Sequence, residues 1–453
     1  MTNPETLEAK IQASGGNPAL MLRKEATPPY LIPLPEEISN WRDEQLAWNT
    51  AVLYDQTFHM FDTYFKGPDV KRLFSDYAVN DFSKFGRNKA KQFVAVNSDG
   101  KYIADAILFG IDDDEYSLVG VPGAGNYMQY RAETGDYDVE VVRDDATPFN
   151  PNPRFIFRFQ LQGPNALNIV EKAAGGHIEP IKFFNIGEFV IAGTRVRALN
   201  HTMIGLPGVE KTGLEMTGPL SDGPKVLEAL QAAGEEFGLQ MGGARSYLTT
   251  QVESGWISLP IPAIYTGEDM KGYREFLPAA GFESHYSLGG SFYSENIEDY
   301  YVTPYDLGYG RVVNFAHDFH GKEALQKLAA GPHKRQVWLT WNPDDVARVM
   351  KSSLFDRAED RAKYLDMPNA VYSIASYDKV LKGDRMIGFS TWSAYLANHG
   401  AWASTATIDE ADANDGAEVT VVWGDEASIP YKPRVEAHKE TTIRATVNTT
   451  APA

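Results

Sequence analysis

The chain contains no cysteine in 453 residues. Disulfides, Cys-ligated zinc, iron–sulfur clusters and thiol nucleophiles are therefore excluded, and burial and hydrogen bonding must hold the fold together. At about 150 residues per domain the length allows roughly three domains, with room for an enclosed pocket. The 23 Tyr, 23 Phe and 8 Trp can supply that core, and they can also line a pocket for a flat ligand.

Asp and Glu number 61 against 42 Lys and Arg, a formal charge of -19. This opposes nucleic acid and anionic membranes, both of which need a basic footprint. Met1-Thr2-Asn3-Pro4-Glu5 begins a polar, acidic stretch with no apolar signal core. No run of about 18 apolar residues occurs. A cytoplasmic enzyme is the expectation.

Gly15-Gly16, Pro28-Pro29, Pro33 and Pro35 punctuate residues 15–40, which read as an extended arm. The arm takes in residues 1–42. Asp43 is placed as the N-cap of a helix through Leu53, and Asp69 opens a short helix. Phe93–Val96 and Ala106–Phe109 read as strands joined at Asp99-Gly100. Phe155–Phe159 is a strand reaching Gly163-Pro164, where Pro164 suits the first turn of a helix through Ala174. Phe189–Leu199 is a further strand. Helices are predicted over Pro224–Phe237, Ala244–Ser254 and Asp318–Leu328, the last stopped by Gly331-Pro332. Beyond Gly331 come short β-rich runs: Val337–Trp341, Met386–Phe389, Ala403–Ile408 and Val419–Trp423. Residues 331–453 thus form a separate C-terminal β domain, and residues 43–330 the catalytic region.

Several familiar motifs fail. Pro122-Gly123-Ala124-Gly125 lacks the third glycine of a dinucleotide fingerprint. There is no Walker A pattern and no Gly-x-Ser-x-Gly elbow. Asp112-Asp113-Asp114-Glu115 lacks calcium-loop spacing and reads as a solvated turn. His317 and His320 fall on a turn, so no metal site is expected.

The positive signal lies in the order of weaker segments. They run Leu53-Tyr54-Asp55-Gln56-Thr57-Phe58-His59-Met60, Asn80-Asp81-Phe82, Asp99-Gly100-Lys101-Tyr102-Ile103-Ala104-Asp105 and Leu161-Gln162-Gly163-Pro164-Asn165-Ala166. Thr212-Gly213-Leu214-Glu215-Met216, Met241-Gly242-Gly243-Ala244-Arg245 and Asp318-Phe319-His320-Gly321-Lys322-Glu323-Ala324-Leu325 follow. In this order, across roughly residues 45–430, the chain resembles the glycine cleavage T-protein (aminomethyltransferase) family. Within that family it most resembles the tetrahydrofolate-dependent aromatic O-demethylases of the vanillate and syringate type. The resemblance to that branch rests on the Pro-rich arm with Tyr30, on Gln56 and His59, on Arg245-Ser246-Tyr247, and on Glu253-Ser254-Gly255-Trp256. The T-protein's paired aspartates are reduced to Ala104-Asp105, which weakens an aminomethyl-transfer reading.

The resemblance implies an α+β fold: a T-protein-like cloverleaf of α/β folate-binding subdomains around a central site, plus a C-terminal β-barrel-like domain. It implies tetrahydrofolate as cofactor, a small methoxylated aromatic substrate and no lipoyl carrier. Glu215 would accept N–H bonds from the pterin edge, and Trp256 would stack on the pterin or the substrate. Tyr247 would serve the departing ether oxygen, since a phenol near pKa ~10 is matched to a phenolate leaving group. Tyr30 and His59 would orient the substrate's neighbouring hydroxyl, and Gln56 would help hold the reactants. Val121 stands against the cofactor where a vanillate-type enzyme is expected to carry an arginine for the substrate carboxylate. Either Arg131 or Arg245 takes that part, or the substrate has no ring carboxylate. Other readings are dimethylsulfoniopropionate demethylase, the aminomethyltransferase itself and, more remotely, a non-catalytic folate-binding protein.

Overall fold

The computed structural model describes residues 5–28, 33–201, 213–357, 359–426, 432 and 434–451. Three larger sheets organise them. The first has six strands in the order Leu239–Met241, Ala51–Asp55, Ile156–Gln162, Gly213–Pro219, Thr194–Asn200, Ile186–Ile191. The second has five, in the order Ala90–Val96, Tyr102–Gly110, Glu115–Gly120, Phe61–Lys66, Glu140–Asp144. The third is a closed barrel of Lys334–Trp341, Ala401–Asp409, Arg385–Leu396, Asp378–Lys382, Glu418–Trp423 and Thr441–Asn448. The expected C-terminal β domain is this barrel, and its interior is filled by Trp341, Trp402 and Trp423 with β-branched neighbours.

The helices Ala166–Ala174 and Gly223–Gly234 cover the apolar face of the first sheet. Pro122–Thr134 lies on the second sheet. Ala244–Ser254 runs between the first sheet and the barrel and is the element that carries Tyr247.

Four local expectations are corrected. The segment through residue 28 is not an extended arm. Leu7–Ala13 and Pro18–Lys24 are helices, capped by the side chains of Thr6 and Asn17. Leu7, Ile11, Met21 and Leu22 bury themselves in the main core, so apolar burial outweighed the turn signal of Gly15-Gly16. The helix assigned to Asp43–Leu53 spans only Trp41–Leu46 and starts at Asn40; from Ala51 the chain is already a strand. Phe189–Leu199 is a hairpin rather than one strand. Its turn holds Ala192 at φ 49° and Gly193 at φ 76°, both in the left-handed region that a two-residue hairpin loop requires. The last predicted helix begins at Lys322, with Gly321 at φ 82° before it, so Asp318 lies outside.

Candidate active site

The site grows from an alternating strand. In Ile156–Gln162, Phe157, Phe159 and Leu161 enter the apolar core with Leu53, Leu214 and Met216. Arg158, Gln160 and Gln162 therefore point to the opposite face. Across the sheet Tyr54 and Glu215 both pair with Gln160, which puts them on that face too. This polar face is not solvated. Arg158 is 2 % exposed, Gln160 0 % and Glu215 4 %.

Charge on this face is closed into a chain. Arg158 donates to Glu215 through Nη1, and to Asp62 Oδ1 at 2.5 Å through Nη2. Arg154 donates to Asp62 Oδ2 at 2.6 Å and lies 3.3 Å from Asp144. The other oxygen of Glu215 meets His201 Nε2 at 2.7 Å. Burial pushes the Glu215 carboxyl up, but Arg158 and His201 outweigh it and hold it at about 2. Glu215 is thus a fixed anion where the sequence placed the pterin-binding carboxylate, with each oxygen already accepting one bond.

Tyr247, Gln56 and His59 come together. Gln56 Nε2 donates to the Tyr247 hydroxyl at 3.1 Å. The His59 ring stands edge-on to Tyr247 with centroids 5.1 Å apart, and Tyr54 packs on the same ring at 5.3 Å. Burial, together with Arg158 and Arg154, lowers His59 to about 3, so it is neutral at pH 7 and can donate through one nitrogen and accept through the other. Both ring nitrogens are buried without a hydrogen-bond partner.

Glu44 fixes Tyr247 from behind. Its Oε2 accepts from Gly243 N at 2.8 Å and from Ser246 Oγ at 2.7 Å, at the first turn of Ala244–Ser254. The two glycines before this helix permit close approach. A Cβ on Gly242 would meet the Tyr54 ring at 2.0 Å, and one on Gly243 would meet Glu36 O at 2.6 Å.

Asp105, which the sequence reading treated only as the survivor of a pair, is a second centre. It accepts from Tyr102 at 2.5 Å, from Gln92 at 3.2 Å and from Tyr309 at 3.2 Å. Burial raises its carboxyl against the pull of these donors. Trp256 lies close to this carboxylate. Val121 precedes helix Pro122–Thr134 and lines a small cavity with Ala104 and Asp105. Beside Gln92 opens a cavity of about 450 Å³ bordered by Asn80, Lys91, Phe184, Arg311 and Asn314, a size suited to a small ligand.

Neither surrogate arginine is at Val121. Arg131 stacks on Tyr77, Tyr127 and Tyr130, 4.7 to 5.2 Å from their centroids. Arg245 pairs with Glu37 at 2.9 Å and Asp366 at 3.5 Å. Tyr30 lies outside the described residues. Among the described residues no group of three or more His, Asp or Glu side chains could hold a metal ion, and no helix is long and apolar enough to cross a membrane. His317 Nε2 lies 3.1 Å from the Ala78 carbonyl.

Sequence reading missed Arg158, Asp62, His201, Gln92 and Tyr309 as site residues. One signal was available: Arg158-Phe159-Gln160-Leu161-Gln162 alternates like a half-exposed strand, yet leads straight into Gly163-Pro164 of the recognised motif. The remaining partners are brought in by tertiary folding from distant positions.

The residues present fit a flat, hydrogen-bonding cofactor: the fixed Glu215 carboxylate and the unpaired His59 nitrogens lie near one another, with the Tyr247 and Tyr54 rings beside them. The comparisons agree. The GCVT N-terminal domain family matches residues 35–261. A syringate O-demethylase from a Sphingobium species is 41% identical over 437 residues, covering 96% of this chain and 93% of that protein. A sesamin methylene transferase from a Sinomonas species is 31% identical, covering 79% of this chain and 78% of that one. In fold, the glycine cleavage system aminomethyltransferase T from Bartonella henselae superposes with a TM-score of 0.60 at 15% identity, covering 95% of each chain. The chain belongs to the GCVT, or glycine cleavage T-protein, family.

Proposed function

We propose that this protein moves the methyl group of a methoxylated aromatic compound onto tetrahydrofolate, releasing a phenol, with Tyr247 serving the departing oxygen. Tetrahydrofolate, when bound, supplies the nitrogen that accepts the methyl group. The protein's own part is to hold, to exclude water and to place a proton. The observation that carries this reading is the Tyr247 hydroxyl held by Gln56 at 3.1 Å and flanked by neutral His59, with its ring packed on Tyr54 of the same buried sheet face as Glu215. A phenol beside a departing phenolate shares its proton at almost no cost in free energy, which lowers the barrier as the C–O bond breaks. Fixing both reactants in a closed site contributes several kcal/mol more. Glu215 and Trp256 hold the cofactor, and Val121 borders it. Tyr30 and His59 orient the neighbouring hydroxyl of the substrate. The reaction needs no lipoyl carrier, nucleic acid or membrane, and a cytoplasmic setting fits it.

The substrate we favour is a neutral methoxyphenol. Burying a carboxylate without a cation costs several kcal/mol, and among the described residues no cation lines the cavity at Val121. A second reading, a substrate bearing a carboxylate, draws on Lys91 and Arg311 at the open cavity and on the name of the Sphingobium relative. Anaerobic incubation with tetrahydrofolate and guaiacol-like compounds, vanillate and syringate in parallel, scored for 5-methyltetrahydrofolate and phenol, tests both. Turnover of the benzoates alone would remove the neutral-substrate reading. Methyl transfer from a sulfonium donor, with none from any methoxyarene, would remove the O-demethylase reading.

A further inference from the structure

The cavity beside Val121 measures about 20 Å³, room for one water-sized group. Most of its wall is apolar, as at Leu259, Pro262 and Phe282, and no Lys, Arg or His lines it. Two carboxyls do, those of Asp105 and the buried Glu283. Burial pushes both up. Asp105 already accepts from three donors. Glu283 is held differently. Its two oxygens share Asn126 Nδ2 at 2.9 and 3.2 Å, and the Tyr273 hydroxyl reaches only to 3.4 Å. Arg143 fixes that amide from behind by donating to Asn126 Oδ1 at 2.8 Å. A carboxylate has about four lone-pair sites, so Glu283 keeps acceptor capacity in reserve.

Glu283 Oε1 faces the start of helix Pro122–Thr134. A Cβ built on Gly123 would stand 4.0 Å from it, with no atom closer. The helix begins at Val121 without a side-chain cap, and the N–H groups of a first turn have no partner within their own helix. Pro122 carries no N–H, so Gly123 offers the first one, and Gly123 lines the cavity. An acceptor and a donor therefore border the same small space. A hydroxyl matches both, since it donates one proton and accepts on its lone pairs. An ammonium group has no lone pair for the helix, and a methyl group answers neither side. A carboxylate would be a third acid where no cation lines the wall.

We propose that this cavity receives a hydroxyl carried on a ring substituent of the methoxyarene, donating to Glu283 and accepting from the Gly123 N–H, so that the preferred substrates are methoxyphenols bearing a primary alcohol. This rests on the O-demethylase reading above and narrows its neutral substrates to one class. The wall residues Leu259 and Pro262 follow shortly after the helix that carries Tyr247, which ties the cavity to the site.

The test is a series of 2-methoxyphenols with hydroxymethyl, methyl, aminomethyl or carboxylate at the ring position opposite the phenol. With the full chain and tetrahydrofolate, kcat/KM for the hydroxymethyl ring should exceed that for the methyl ring at least about tenfold, the equivalent of ~1.4 kcal/mol. Glu283→Met keeps a similar volume and removes the acceptor, and the ratio should fall to near one. A purely structural role would lower both rings alike and leave the ratio standing, which overturns the proposal. A wild-type ratio near one overturns it too, as does an aminomethyl or carboxylate ring that proves the best substrate. Calorimetric titration of the same rings onto the wild type reads the preference without turnover and without a variant. Tighter binding of the hydroxymethyl ring with no methyl transfer from any ring would support the cavity assignment and overturn the O-demethylase reading. Equal binding of the hydroxymethyl and methyl rings overturns the cavity assignment even where methyl transfer is seen.

Discussion

The barrel and the six-stranded sheet are both built from alternating strands buried on their inner sides, yet they fill that space in opposite ways. Inside the barrel Trp341, Trp402 and Trp423 pack with Val337, Leu339, Val421 and Ile443. Its buried hydroxyls are tied to one another, Ser390 to Ser404 at 2.8 Å and Ser404 to Trp341 at 3.0 Å. The sheet has one apolar face of this kind, and a second face that buries Arg158, Gln160 and Glu215, with Asp62 meeting Arg158 from the five-stranded sheet. Such a face costs desolvation and returns little stability. The difference separates scaffold from site: the barrel is optimised for packing, and the sheet keeps polar groups aimed at something other than itself.

The largest expected effect probes the site side. Tyr247→Phe should leave the fold intact and lower kcat by about 10²–10⁴-fold, the usual weight of a positioned acid. Single-turnover methyl transfer with circular dichroism as control checks this, and near-normal turnover would defeat the assignment.

Next come two destabilising changes that should diverge in function. Arg158→Met removes one of two partners from each of Asp62 and Glu215, which keep Arg154 and His201, and breaking buried pairs in this way costs about 3–5 kcal/mol. Trp423→Ala empties the barrel interior at a similar cost of about 3–5 kcal/mol. Urea melts should therefore shift comparably. Folate affinity per folded molecule should collapse in the first variant and persist in the second. Equal loss of affinity in both would show that the barrel belongs to the site.

The two regions should also answer pH with opposite signs. Glu215 is held at about 2, below its ordinary 4.5, so its stabilising contribution is complete above pH 4.5 and is lost as pH falls through 2. Asp378, on a barrel strand, is pushed up by burial to about 7 from 3.8. Its neutral form suits the fold, so it exacts nothing below pH 3.8, destabilises increasingly as pH rises from 3.8 to 7, and levels off above that. Glu215→Gln should weaken the protein most at neutral pH and little near pH 2. Asp378→Asn should stabilise it most at pH 8. Melting temperatures measured from pH 3 to 8 decide, and a reversed slope for either variant breaks the contrast.

How much of this was legible in the sequence follows the same division. Four of the six barrel strands were visible as β-rich runs, because an apolar interior writes itself into local composition; Asp378–Lys382 and Thr441–Asn448 were not. Gln56 and His59 lie within an ordered motif, Tyr247 was singled out by the branch resemblance just beyond another, and the structure brings the three together. Arg158, Asp62 and His201 were not, because a buried ion pair is a relation between residues far apart in the chain and leaves no local pattern. The N-terminal helices were masked by nearby glycines and prolines. Yet Asn17-Pro18 is a sound helix start, with a side-chain cap followed by a residue already set for the first turn. The hairpin at Ala192-Gly193 escaped because alanine, unlike asparagine, does not announce a left-handed turn.

The smallest predicted effect is the most discriminating for substrate. Arg245 is a partly exposed side chain tied to Glu37 and Asp366, and such pairs are worth about 0–1 kcal/mol. If it bound a substrate carboxylate, Arg245→Gln would raise KM for vanillate or syringate and spare neutral methoxyphenols. Its carboxylate partners argue against that role, since an arginine already neutralised on two sides has little left to offer a third anion. We expect Arg245→Gln to change stability by under about 1 kcal/mol and to alter KM for benzoates and phenols alike, by no more than a small factor. A selective rise for the benzoates would place the anion site at the start of the Tyr247 helix and reverse the preference for a neutral substrate. With a null result, Lys91 and Arg311 at the open cavity remain as the cations to test by the same pair of substrates.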